Sequence, residues 1–398
     1  MKKTLAAVAV LGAFAGSALA ADVQLYGIVD TGVRYLHSDM DVANTDATDK
    51  FSMESGMASG SRFGIKGTED LGNGLTVGFV LENQFSSDTG ALADDDHFFR
   101  REATLFLEGG FGKFAMGRMG SINSGVSTWA KHGVMSAFGT SWGSYSANAD
   151  SAFGNSQIWD NTIAYETPSF AGFKVFAQYG MGNTVTKEYN DGFDPEAEIT
   201  FGSENESTSD RYYAIGASYA NGPLNLYLSV DSVNYSSVTS VNQNDSLNFG
   251  DVDDAWTVRL GGNYDFEVVK LFAGASYFDE AKLGNYGGAL VDATSKNLKV
   301  KGWSLGVSGS IPAAGGNVLV GAAYIDAEAA DSVTTGDFKD ADLSRWIVSA
   351  GYDYPFSKRT DVYAVMTYDA GSIDYAEATK ADQDPYVFGV MVGLRHRF

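Results

Sequence analysis

Charged side chains in this chain recur at alternate positions of otherwise apolar stretches. Arg62, Gly64 and Lys66 share one face of an extended segment, against Phe63 and Ile65 on the other. Arg100 shares its face with Glu102 and Thr104, which turns Arg100 rather than Arg101 inward. Asp30 and Arg34 oppose Val29 and Val33, and Glu82 lies with Thr76, Gly78 and Val80. Fixed charges on a wet strand face attract, repel and orient passing ions; without a nucleophile and base beside them they make and break no bonds. The groups a bond-making site needs are scattered. The four histidines are His37, His97, His132 and His396, no cysteine is present and H-E-x-x-H does not occur. A lipase built on an outer barrel wall needs Ser and His together, so the sequence assigns no catalytic residue.

Such a face needs strands to carry it, and strands recur along the whole chain. In LNLYLSVD, Leu224, Leu226, Leu228 and Val230 alternate with Asn225, Tyr227, Ser229 and Asp231; RYYAIGASYA and RREATLFLE behave alike. The connections alternate in length. Short ones fall at 70–74, 108–112, 168–172, 220–223, 265–267, 311–316 and 355–359. Long polar ones centre on 39–51, 88–97, 120–158, 187–210, 234–253, 280–297, 329–341 and 372–384. Seven short turns and eight long loops separate about sixteen strands. Short turns at one rim and long loops at the other predict an all-β, transmembrane antiparallel barrel, with turns periplasmic and loops extracellular. The final stretch YVFGVMVGLRHRF fits such a strand. Phe388, Val390, Val392, Leu394 and Phe398 face lipid; Gly389, Met391, Gly393 and Arg395 face inward. Phe388 and Phe398 are expected in the two aromatic girdles.

The N-terminal segment MKKTLAAVAVLGAFAGSALA has a basic start, an apolar run and Ala18-Leu19-Ala20. It reads as a cleaved signal peptide over 1–20, leaving one barrel domain over 21–398 that is exported through the periplasm. Formal net charge is −23, or −25 without Lys2 and Lys3 (−23 − 2), which disfavours nucleic acid as a partner.

The stretch SRFGIKGTEDLGNGLTVGFVLENQF at 61–85 resembles the second and third strands of the general bacterial porins, proteobacterial branch. LYGIVDTGV (25–33), GGFGKFAMGR (109–118) and ETPSFAGFKVFAQY (166–179) are similar to that family's first strand, fourth turn-and-strand region and entry to strand seven. The resemblance spans nearly the whole mature chain. It implies a sixteen-stranded homotrimer whose third loop folds into the lumen, set in outer-membrane lipid and lipopolysaccharide. It also implies a terminal Phe398 read by the barrel-assembly machinery. The third loop, 120–158, is ~39 residues long, and Lys131, His132 and Asp150 are its only acidic or basic side chains.

In that family, wall arginines face the infolded loop. Arg62 matches the Arg of the S-R-x-G motif and Arg100 the Arg that opens strand four. We therefore place the constriction at Arg62 and Arg100, with Arg34, Lys66, Asp30, Glu82 and Glu102 on the wet wall and Asp150 as the loop's one acid. Asp39, Asp41, Asp46, Asp49, Asp88, Asp94, Asp95, Asp96, Asp251, Asp253 and Asp254 fall in the long loops and should make a negative vestibule. The expectation is a water-filled channel for ions and small hydrophilic solutes, weakly cation-preferring. No cofactor is required, although the acidic loops offer oxygen ligands to Ca²⁺ or Mg²⁺. The alternatives are a substrate-specific channel for sugars or small carboxylates, and a structural or adhesive barrel.

Overall fold

The computed structural model describes residues 22–42, 45–143, 146–154, 157–183, 185–188, 198–241, 247–286, 288–290, 295–336, 338–376 and 381–398. The expected signal peptide over 1–20 lies outside these.

The strands are β1 (Asp22–Asp39), β2 in two pieces (Thr48–Ser55 and Arg62–Gly72), β3 (Leu75–Gln84), β4 (Glu102–Gly109), β5 (Gly112–Gly120), β6 (Ile158–Glu166), β7 (Phe173–Asn183) and β8 (Asp210–Asn221). They continue as β9 (Leu224–Asn234), β10 (Ala255–Asp265), β11 (Lys270–Lys282), β12 (Lys299–Ala313), β13 (Gly316–Ala329), β14 (Asp342–Pro355), β15 (Thr360–Asp374) and β16 (Tyr386–Arg397). Each pairs antiparallel with the next. β16 returns to β1 from Ile28↔Arg397 to Asp39↔Tyr386, so the sheet closes without an edge. Beyond the last rung, Gly27 and Phe398 exchange both backbone hydrogen bonds at 3.1 Å.

The interruption of β2 has no counterpart in the alternation pattern. β1 pairs with the first piece from Thr31↔Ser55 to Ser38↔Thr48, and with the second from Asp22↔Thr68 to Ile28↔Arg62. Residues 56–61 leave the ladder between them.

All seven short turns fall where the sequence places them. In the first, Asn73 (φ 54°) and Gly74 (φ 75°) are the two central residues of a hairpin. Positive φ at both positions is what an Asn-Gly pair supplies to match strand twist. Two of the long loops carry short hairpins, Val185–Glu188 with Glu198–Phe201 and Val238–Val241 with Leu247–Phe249.

Inside and outside follow strand parity. On β9, Leu226, Leu228 and Val230 are exposed, and Tyr227, Ser229 and Asp231 are buried. On β16, Val392 and Leu394 are exposed, and Met391 and Arg395 are buried. Outward aromatic pairs ring the long-loop end: Trp256–Tyr277 at 5.2 Å, Trp303–Tyr324 at 5.6 Å and Trp346–Tyr368 at 5.0 Å between centroids. Phe173–Tyr219 (4.4 Å) and Tyr264–Phe266 (4.5 Å) lie at the short-turn end. Phe388 sits opposite Tyr368 in the register. These are the two interfacial girdles of a membrane barrel.

Candidate functional site

The third loop crosses the interior rather than standing above it. Its backbone is held by inward side chains from strands all round the wall. Gln178 Oε1 on β7 accepts from Ile122 N (2.8 Å), and Asn263 on β10 donates to Val134 O (2.8 Å). Ser308 on β12 accepts from Ala137 N (2.8 Å), and Ser349 on β14 accepts from Ala147 N (3.0 Å). Arg259 donates to Phe153 O at 2.9 Å while its other arm pairs with Asp231. Polar backbone taken out of water needs such partners. A short helix, Ala149–Phe153, is capped by Asn148, whose side chain accepts from Ser151 N at 2.9 Å.

Between loop and wall lies an open space. Arg100, Arg101 and Gln84 bound it on the early-strand side. Asp150 and Trp142 bound it on the loop side, and Gly56, Met57 and Gly60 from the break in β2 close a third side. Arg345 completes it from β14. Gln84 Oε1 accepts from both Arg100 and Arg101 at 2.9 Å. Arg101 Nε also meets Glu82 Oε1 at 2.6 Å, and Arg62 Nε lies 3.6 Å from the other carboxylate oxygen of Glu82. Asp150 is 2.7 Å from His132 Nε2, and His132 is fully buried behind it. Arg345 grips Asp369 through two bonds of 2.8 Å and donates to Ser151 O and Tyr286 O.

Arg100 differs from its neighbours in partner: an uncharged Gln84 at 2.9 Å, with Asp94 farther away at 3.8 Å. Burial pushes its guanidinium down from the ordinary value, and Asp94 pulls the other way. Burial raises Asp94 itself, but the amides of Asp96 and His97 and the His97 ring outweigh it and hold that carboxyl below the usual range. The throat thus presents cationic groups with only part of their charge balanced locally.

The remaining expected residues are placed as follows. Arg34 pairs with Glu54 at 2.6 Å. Lys66 is exposed to the lumen with its ammonium 5.1 Å from the Tyr26 ring. Three expectations need correction. Asp30 faces inward but is not a wetted charge: it is 0 % exposed, covered by residues 56–61. Glu102 is 1 % exposed and acts as an anchor for the third loop, accepting from Thr128 N (2.7 Å) and Thr128 Oγ1 (2.9 Å). A third correction concerns Arg101, which parity turned outward. β4 begins only at Glu102, so parity does not extend to residue 101, and Arg101 is buried against the inner wall. Arg345 was overlooked, although its own strand alternates, with Arg345, Ile347 and Ser349 buried and Trp346 and Val348 exposed.

Among the described residues, no group of three or more His, Asp or Glu is gathered as a metal site would require. Two G-x-S-x-G spacings do occur, at 139–143 in the third loop and 302–306 within β12. Neither is a strand-to-helix elbow, and Ser304 Oγ pairs with Ser276 Oγ at 2.7 Å.

Comparison with known proteins follows the same lines. The family model described as Gram-negative porin matches residues 6–374. An outer membrane porin protein of Bordetella pertussis is 36% identical, with 100% of each chain covered. Outer membrane porin protein 32 of Delftia acidovorans is 29% identical, again over 100% of both. Among solved structures, an anion-selective porin from Comamonas acidovorans is 25% identical, with a TM-score of 0.61, covering 95% of this chain and 100% of that one.

Proposed function

The chain belongs to the Gram-negative porin family and resides in the outer membrane, and on that premise we propose that it forms a water-filled channel for passive diffusion of ions and small hydrophilic solutes. The observation that carries this reading is the open space between the early-strand arginines and the third loop. Eight strands give a barrel that side chains fill, whereas sixteen leave a lumen. The same observation weighs against a structural or adhesive barrel. Selectivity then depends on two opposed fields. Of the early-strand arginines, Arg101 and Arg62 are partly neutralised by Glu82. The acidic long loops gather cations at the mouth within a Debye length of about 8 Å. We read the sum as a weak cation preference. Likeness to a structure named an anion-selective porin favours a second reading, in which Arg100 and Arg101 set the sign. Ca²⁺ or Mg²⁺ at the acidic loops is read as a diffuse counter-ion rather than a cofactor.

The working assembly is a homotrimer in lipid and lipopolysaccharide. Residues 1–20 are removed on export, and Phe398 is recognised by the barrel-assembly machinery. No catalytic activity is proposed. Proteoliposome swelling with sugars of graded size tests the channel. Rapid swelling with the smallest sugars, falling steadily with size, supports general diffusion. A single favoured sugar supports the substrate-specific alternative, and no swelling with folded protein contradicts the channel.

A further inference from the structure

The segment that interrupts β2 does more than kink the wall. Residues 56–60 turn into the lumen, and Gly56, Met57 and Gly60 line the throat beside the third loop. Gly56 has φ +70°, a conformation that favours glycine. The wall makes room for the segment. A Cβ on Gly32 of β1 would stand 2.5 Å from Met57 Cε, and one on Gly393, its partner on β16, would collide with the Tyr363 ring.

Asp30 holds the segment in place. One carboxylate oxygen accepts from Ala58 N (3.0 Å) and Ser59 N (2.7 Å), and the other from Tyr363 OH (2.6 Å). Its backbone carbonyl accepts from Gly56 N at 2.8 Å and from Ser87 Oγ at 2.8 Å, where the missing ladder would otherwise leave it unpaired. The same supports carry the third loop. Arg395 donates to Ser59 Oγ (2.7 Å) and lies 5.7 Å from the Trp142 ring, and Trp142 packs edge-on against Tyr363 at 5.1 Å. Met57, Trp142 and Tyr363 share one apolar cluster.

We propose that residues 56–60 are a second throat-forming element beside the third loop, and that Asp30 is its positioning residue, acting through placement of that segment rather than through its charge on passing ions. The proposal rests on the channel reading above.

The absence of cysteine makes a direct test available. Gly60→Cys, reconstituted in a planar bilayer, is treated with a sulfonate-bearing thiosulfonate reagent. Labelling is expected to lower each current step by at least about a third and move the reversal potential toward cations, because a bulky anion then stands in the throat. Unchanged current after complete labelling, checked by mass, overturns the proposal; a wild-type protein that passes no current defeats the channel reading instead. If Gly60→Cys does not assemble, Met57→Cys gives the same readout. Asp30→Asn separates placement from charge. The amide oxygen can serve the Ala58 and Ser59 amides while its NH₂ donates to the Tyr363 hydroxyl, so step size and reversal potential should stay at wild-type values. Asp30→Leu removes the acceptors and should give noisy, altered steps. A reversal-potential shift in Asp30→Asn as large as in Asp30→Leu overturns the positioning role.

Discussion

Glu102 on β4 receives both the amide and the hydroxyl of Thr128, at 2.7 and 2.9 Å, and so fastens the start of the third loop to the early wall. With Glu102 1 % exposed, the carboxylate is spent on the loop rather than on solutes. Glu102→Ala should release residues near Thr128, at a local cost of ~2–3 kcal/mol for the orphaned donors. Hydrogen exchange should rise around residues 126–130 while the barrel strands stay protected. Unchanged exchange there would count against the anchor.

Arg100 and Arg101 make different bets on the throat. Arg100 leans on the neutral Gln84, so Arg100→Ala should move the reversal potential toward cations with little loss of stability. Arg101 is joined to buried Glu82 at 2.6 Å. Arg101→Ala should shift selectivity in the same direction and also destabilise the barrel by about 3–5 kcal/mol, because a buried carboxylate loses its main partner. Thermal unfolding in detergent separates the two variants; equal melting temperatures would contradict the assignment.

Phe398 exchanges two backbone hydrogen bonds with Gly27 at the seam between β16 and β1. Deleting Phe398 should reduce the amount of folded barrel recovered from the outer membrane. Wild-type recovery would argue against any part for this residue in assembly.

Much of the architecture was legible because strand parity is a two-residue code read directly from lipid outside and water inside. The seven short turns, the eight long loops and the inward faces of β9 and β16 all follow from it. Parity fails where the ladder stops. Arg101 lies one residue before β4 begins, and nothing in RREATLFLE marks that boundary. The inward turn of residues 56–61 is equally silent, since MASGS reads as an ordinary small-residue run. Asp30 shows the remaining limit. Its direction was correct, but whether an inward carboxylate meets water depends on a segment some 28 residues away that happens to cover it. Arg345 needed no such luck and was available from alternation alone.

The measurement that bears most directly on the whole account is single-channel conductance in a planar bilayer under a KCl gradient. Stepwise currents in groups of three are expected, with a reversal potential on the cation side. An anion-side potential would reverse the assignment of the dominant field, from the acidic mouth to Arg100 and Arg101. Absence of conductance from correctly folded protein would contradict the channel itself.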